Sequence, residues 1–239
     1  MLKRFRFRAI PFLATVLLVA LGVSLGQWQD RRAAQKIALQ ATLAERAVQA
    51  PLVLGPKLLG KEDVAFRPVS VAGEFVTGWP LFLDNRPQQG KVGFYLLMPF
   101  KIAGSNTHVL VARGWLPRYN GEHDRLPEFS TPPGTVIVTG VAKAGMGKVM
   151  QLGDPAMVKP GAILQNLTPD QFADASKLAV QPFFIEQTGP PEAGDNLVRD
   201  WPAPALGVEK HQGYAFQWYA LAGMALLFFV VTGFRRGTK

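Results

Sequence analysis

The chain has 239 residues and not one cysteine. Disulfides, thiolate zinc sites, iron–sulfur clusters and a thiol nucleophile are therefore excluded. Only three histidines occur, His108, His123 and His211, and no two are spaced to form a local metal pair. Gly22-Val23-Ser24-Leu25-Gly26 has the letters of a Gly-x-Ser-x-Gly elbow, but it stands inside a long apolar run and not at a strand-to-helix turn, so it makes no nucleophile elbow; a His-Glu-x-x-His pair and a dinucleotide fingerprint are missing. Gly145-Met146-Gly147-Lys148 has part of a phosphate loop, but that motif needs Gly at 142 and Ser or Thr at 149, where Ala142 and Val149 stand. Hydrolase and nicotinamide chemistry lose their support, and the expectation is a protein that is not an enzyme.

The next absence is of charge. Ala9–Gln29 and Gln212–Phe234 contain no Asp, Glu, Lys, Arg or His. About 20 helical residues cross a hydrocarbon core, so each run is long enough to span a bilayer. Lys3, Arg4, Arg6 and Arg8 precede the first run, and Arg235, Arg236 and Lys239 follow the second. Basic flanks stay on the cytoplasmic side. The expected layout is a basic cytoplasmic tail (1–8), a first span (9–29), an outer domain (30–211), a second span (212–234) and a second basic tail (235–239). A cleaved signal peptide is the alternative for the first run, since small pairs such as Ala20/Gly22 or Ser24/Gly26 suit a peptidase. The eight residues ahead of that run leave no room for an organelle transit sequence, and a bacterial inner membrane is the expected home.

The net charge of +9 is mostly topological, because seven of the 26 Lys and Arg flank the spans and leave 19 against 17 acidic residues in between. No basic stripe with interleaved aromatics exists, so the composition predicts membrane lipid and no nucleic acid as surroundings.

In the outer domain, Trp28 to Val48 reads as a helical continuation of the first span, free of Gly and Pro before Pro51. Trp28, Arg32 and Lys36 share one face, either as an interfacial anchor with solvated charges or as a basic face that meets an anionic head group or cofactor carboxylate. From residue 65 short Val/Ile/Phe/Leu runs alternate with turn residues. Val69–Phe75, Pro80–Asn85, Val92–Phe100, Thr107–Arg113, Thr135–Ala142, Ala162–Asn166 and Phe183–Gln187 are the expected strands, in an antiparallel sheet or small barrel. Thr168-Pro169-Asp170-Gln171 is a capping box with Pro in the first turn, which accounts for the Asn166-Leu167-Thr168 sequon without glycosylation. The Pro- and Gly-rich residues 189–207 form a connector. Arg113-Gly114-Trp115 reads as a strand end with a chain reversal under a packed aromatic. The fold class is thus membrane α+β, two transmembrane helices flanking a mainly antiparallel β domain with one or two helices.

His211 opens the run His211-Gln212-Gly213-Tyr214-Ala215-Phe216-Gln217-Trp218-Tyr219. On a helix His211, Tyr214, Ala215, Trp218 and Ala222 fall along one stripe, with an imidazole, aromatic faces and small residues against which a flat ring could lie. An aromatic belt beneath an incidental histidine is the plainer reading of the same pattern, which does not settle between the two. His108, at a strand start, and His123, in a polar loop, read as surface or hydrogen-bonded residues.

Together these segments resemble the surfeit-one family, assembly factors for haem-copper cytochrome c oxidase. Leu25-Gly26-Gln27-Trp28-Gln29 with Arg32 and Lys36 is similar to the family's exit from its first span, and Phe66-Arg67-Pro68-Val69 with Gly73-Glu74-Phe75 to its first strand. Leu83-Asp84-Asn85-Arg86, Gly93-Phe94-Tyr95, Pro99-Phe100 and Val109 through Pro117 resemble its most recognisable block, and His211 through Trp218 its entry into the second span. The resemblance implies a non-catalytic role in maturing the oxidase large subunit, with haem a synthase as a further partner. It also implies transient binding of haem a through His211, whose iron that imidazole would ligate, with Tyr214 and Trp218 beside the macrocycle and Lys210 or Arg32 at its propionates. A structural scaffold that binds no haem is the alternative.

Overall fold

The computed structural model describes residues 5, 7–119, 125–151, 153–190, 195–203 and 206–234. Six of the flanking basic residues (Lys3, Arg4, Arg6, Arg235, Arg236 and Lys239) and His123 lie outside the described residues. The chain divides into two units, one built from both ends of the chain and one comprising Ala44–Ala203.

The first unit is a pair of long helices, α1 (Ala9–Ala47) and α4 (Val208–Gly233). Both are long and apolar enough to cross a membrane. Most of their large apolar side chains are exposed, for example Ile10, Leu17, Phe216 and Phe228. A soluble core helix would bury such residues, so the exposed surface is what lipid covers. The chain is a multi-pass membrane protein. α1 runs past its charge-free stretch as one unbroken helix, and α4 starts before its own stretch, which puts Lys210 and His211 inside the helix.

The second unit is a small β-barrel. Its strands are β1 (Leu52–Val53), β2 (Pro68–Phe75), β3 (Leu81–Leu83), β4 (Gly93–Ile102), β5 (Thr107–Pro117), β6 (Val136–Lys143), β7 (Ile163–Leu164) and β8 (Ala179–Gln187), with short helices α2 (Lys61–Val64) and α3 (Pro169–Ser176). The sheet order is β1-β2-β6-β8-β5-β4-β3-β7, and an added β2–β4 pairing closes β2, β6, β8, β5 and β4 into a ring. Closure happens at Gly73, which pairs with Val136 of β6 and Ile102 of β4. A Cβ there would sit 2.0 Å from the Lys101 carbonyl oxygen, so only glycine lets β2 pass from one neighbour to the other.

All seven expected strands are present. Antiparallel pairing dominates, but β5–β8, β1–β2 and β3–β7 are parallel. β5 and β8 are joined by a long crossover that contains β6, β7 and α3, which permits a parallel pair.

β4 is buried on both faces, which explains its continuous apolar run. Phe94, Leu96, Met98 and Phe100 point into the barrel with Val71 and Ile185. Tyr95 and Leu97 face the other way, into a second core with Leu83, Leu164 and Phe172. α3 covers that second core. Its capping box forms as expected, with Thr168 Oγ1 accepting from the Gln171 amide and Gln171 Oε1 accepting from the Thr168 amide. Asn166 is tied up by Val149, accepting from its amide and donating to its carbonyl, both at 3.0 Å.

One expectation is corrected. Arg113-Gly114-Trp115 does not reverse the chain, because β5 continues to Pro117. Instead the register with β4 slips there: Leu96 faces Gly114 and Leu97 faces Ala112, leaving Arg113 as the extra residue of a bulge. The bulge turns Arg113 inward, fully buried. Its guanidinium donates to Ser130 O (2.8 Å) and Thr131 Oγ1 (2.9 Å) and lies over the Phe75 ring. Asp195 sits between Arg113 and Arg199, so each of these buried guanidinium groups has a carboxylate within ion-pair distance. Gly114 is needed because residues 197–198 cross it, and a Cβ would meet Leu197 Cβ at 2.7 Å. Trp115 exchanges both backbone hydrogen bonds with Val198 and donates from its indole to Arg86 O at 2.7 Å. The connector is thus pinned to the barrel, and Trp201 adds an indole bond to Gln187 O.

Candidate functional site

The residues that could carry a cofactor lie on the helix pair. The buried residues of α1 are Thr15, Gly22, Gly26, Gln29 and Ala33, in steps of seven, four, three and four. Those of α4 are Val208, Ala215 and Ala222, in steps of seven. This is the heptad seam of a left-handed helix pair. His211 and Trp218 are half-buried at the intervening positions of the same repeat.

Small residues bring the backbones close. A Cβ on Gly22 would lie 2.9 Å from the Trp218 carbonyl oxygen and 3.0 Å from Ala222 Cβ; one on Gly26 would lie 2.5 Å from the Tyr219 ring. In a membrane the hydrophobic effect does not press helices together, so close packing and interhelical hydrogen bonds must. Two such bonds are present among the described residues. Tyr219 donates its hydroxyl to Asp30 Oδ2 at 2.7 Å. His211 Nδ1 lies 2.7 Å from Gln29 Oε1, and Gln29 is only 8% exposed. At the opposite end Phe12 packs on Phe229 at 5.7 Å between ring centroids.

The five candidate residues are not all brought together. His211 occupies the first turn of α4, its amide 3.4 Å from Gly207 O. Trp218 lies one heptad layer further along the seam. Tyr214 is 53% exposed, off the seam, so the expected single stripe divides: Ala215 and Ala222 face α1, and Tyr214 does not. Lys210 is exposed. Arg32 is exposed too, with its guanidinium over the Trp28 ring and donating to Gln35 on the same helix. Among the described residues, no hydrogen bond or ion pair joins any two of the five.

Gln29, the only side chain among the described residues that holds the His211 ring, was not among the sequence candidates, nor was the Asp30–Tyr219 pair. Gly22-x-x-x-Gly26 is the signal that could have found the seam, and Gln29 follows from it at the next heptad step.

His108 takes the second of its two expected states, hydrogen-bonded and not on the surface. It is 6% exposed, with Nδ1 3.3 Å from Ala179 O, and burial pushes its pKa down. It is a barrel residue rather than a surface one. Two open clefts on the barrel, one lined by Glu74, Lys101, Ser105 and Thr135 and the other by Glu128, Ser130 and Asp195, include none of the five candidates. Among the described residues no group of three or more His, Asp or Glu could hold a metal ion. A lone histidine suits a metal that arrives inside a macrocycle with its own nitrogens.

These features define a class: a membrane protein of two packed helices that carries a small bulged β-barrel on the chain between them. The SURF1 family profile matches residues 16–223, and the chain belongs to that family. It is similar to "Cytochrome oxidase assembly protein SHY1" of Saccharomyces cerevisiae (strain ATCC 204508 / S288c), 33% identical over 95 residues, which cover 38% of this chain and 24% of that protein. A "SURF1-like protein" of Monosiga brevicollis is 24% identical over 228 residues, 90% of this chain and 84% of the relative. "Surfeit locus protein 1" of Homo sapiens is 29% identical over 124 residues, 45% and 41% respectively. The chain thus spans about a quarter of the yeast relative's length and two fifths of the human one's.

Proposed function

We propose that this protein is a non-catalytic assembly factor for a haem-copper cytochrome c oxidase, acting on the large haem-bearing subunit, and that His211 holds haem a transiently on the way there. Family membership and the assembly role in the yeast relative's name support the first part. The observation that carries the second is the state of His211. It is half-buried at the start of a membrane helix, it is held by a single hydrogen bond through Nδ1, and Nε2 makes none among the described residues. Haem a would supply an iron that an imidazole can ligate. His211 Nε2 would bind there, Tyr214 and Trp218 would flank the ring, and Lys210 would meet the propionates. Arg32 would have to leave Trp28 to do the same.

The reading places both termini in the cytoplasm and residues 30–211 in the periplasm of a bacterial inner membrane, with the first span retained. Haem a synthase and the oxidase large subunit are the partners. The second reading, a scaffold that binds no haem, is favoured by one fact: Gln29 and His211 satisfy each other inside the seam, so the histidine has a packing role without any cofactor.

The Soret band separates the two. Protein purified in detergent from cells able to make haem a should carry it. His211→Ala should abolish it and His211→Met shift it, with abundance and insertion unchanged, while substitution of His108 and His123 together should not. A wild type without haem, or an unaltered spectrum in His211→Ala, would replace the haem reading with the scaffold.

A further inference from the structure

The seam holds His211 in a way that bears on which of its ring nitrogens is available. Gln29 Oε1 lies 2.7 Å from Nδ1, a short bond for a neutral pair, and Gln29 itself is nearly enclosed by the two helices. An amide oxygen only accepts, so an imidazole bonded to it must carry its proton on Nδ1 and keep its lone pair on Nε2. That is the tautomer opposite to the one favoured by a free histidine in water. Residues around metal-binding histidines act in this manner, fixing ring orientation and raising the basicity of the ligating nitrogen.

We infer that Gln29 is the positioning residue of this site: it locks His211 as the Nδ1–H tautomer and so presents the Nε2 lone pair outward from the seam. The inference rests on the haem-ligand reading for its purpose but not for its test. Three features support it independently of any cofactor. Gln29 is the one buried polar residue of α1 whose side chain crosses to α4, whereas Thr15 bonds back to Pro11 O within its own helix. The glycines at 22 and 26 set the close approach that lets a Gln side chain span the gap. Asp30–Tyr219 is a second crossing bond beside it, which limits rotation of α1 about its axis and hence the swing of Gln29.

The test uses the full chain in detergent or nanodiscs, haem-free, with 15N-labelled histidine, at a pH where imidazole is neutral. The 15N shifts of His211 in wild type should be those of a single Nδ1–H form. Gln29→Leu, similar in volume, should give a mixture dominated by Nε2–H, and Gln29→Glu, which keeps the acceptor, should restore the wild-type spectrum. Added haem should bind Gln29→Leu about 10- to 100-fold more weakly than wild type, the range for loss of a partner to a metal-binding histidine. Equal tautomer populations in wild type and Gln29→Leu would overturn the inference. If wild type shows the Nδ1–H form under Gln29 control and yet binds no haem, the ligand reading fails while the positioning role stands.

Discussion

The barrel and the helix pair solve the same problem, holding two distant stretches of chain together, with opposite materials. The barrel buries large side chains: Phe82, Phe94, Phe100, Phe172, Phe183 and Phe184 are all below 2% exposed, and each such ring stabilises by about 1.5–3 kcal/mol through removal from water. Its buried charges are tied into networks. The helix pair buries glycine and alanine and leaves its large residues to lipid, so its specificity rests on close approach and two polar bonds, each worth about 1 kcal/mol. A scaffold and a site are thereby separated. The barrel can be strong without being sensitive, and the seam can be sensitive without unfolding the barrel.

The largest expected effect lies in the barrel. Trp115→Ala removes an aromatic packed in the second core together with its indole bond to Arg86 O. It should cost about 3–5 kcal/mol and sharply lower the steady-state protein level. A normal level with failed oxidase maturation would assign Trp115 to a partner contact instead.

Gly22→Val tests the seam from the other side. The new side chain would meet the Trp218 carbonyl, which cannot move cheaply, for a cost of about 1–3 kcal/mol. Faster turnover of the full chain should accompany a protease-resistant barrel fragment that is unchanged. The chain has no cysteine of its own, so Phe12→Cys with Phe229→Cys, at positions whose rings pack 5.7 Å apart, gives a check that leaves the glycines in place. A short thiol-reactive crosslinker should join the two in membranes, and no crosslink would mean that the helices do not pair as described.

Asn166→Ala should cost about 1–2 kcal/mol. It frees both backbone groups of Val149, so cleavage by added protease should rise around residues 145–151 while the barrel core stays resistant.

The smallest effect is a pH dependence. Burial holds the His108 pKa below its ordinary value, so the folded state disfavours the charged form. Its contribution is fully present above the unfolded pKa near 6.5 and is lost as pH falls below it toward the folded value. His108→Phe should flatten the fall in barrel stability between pH 6.5 and 5, measured by denaturant titration. Glu186, whose pKa burial raises despite Lys143 nearby, acts in the opposite sense. It costs stability as pH rises above about 4.5, so Glu186→Gln should steepen the acid side.

The legibility of the two regions in the sequence differs for the same physical reasons. Strands, the α3 cap and the membrane spans follow from local rules: alternation, a Thr-Pro-Asp-Gln box and charge-free length. What local rules could not supply is pairing. β5–β8 is parallel across a long crossover, and the bulge at Arg113 depends on Leu96 and Leu97 of another strand. β1, with two residues, carries too little pattern to announce itself. At the site, His211 was legible as the unusual histidine, but its partner is 182 residues away in sequence. A stripe drawn on α4 alone had no means of telling Ala215, which faces α1, from Tyr214, which does not.

The central claim is that His211, held in the seam, serves oxidase maturation as a haem ligand. Its most direct measurement is the haem a content of the oxidase in membranes of cells whose only copy of this protein is His211→Ala. With this protein at wild-type abundance, the account predicts an oxidase large subunit depleted of haem a. An oxidase with its full haem content in that strain would contradict it.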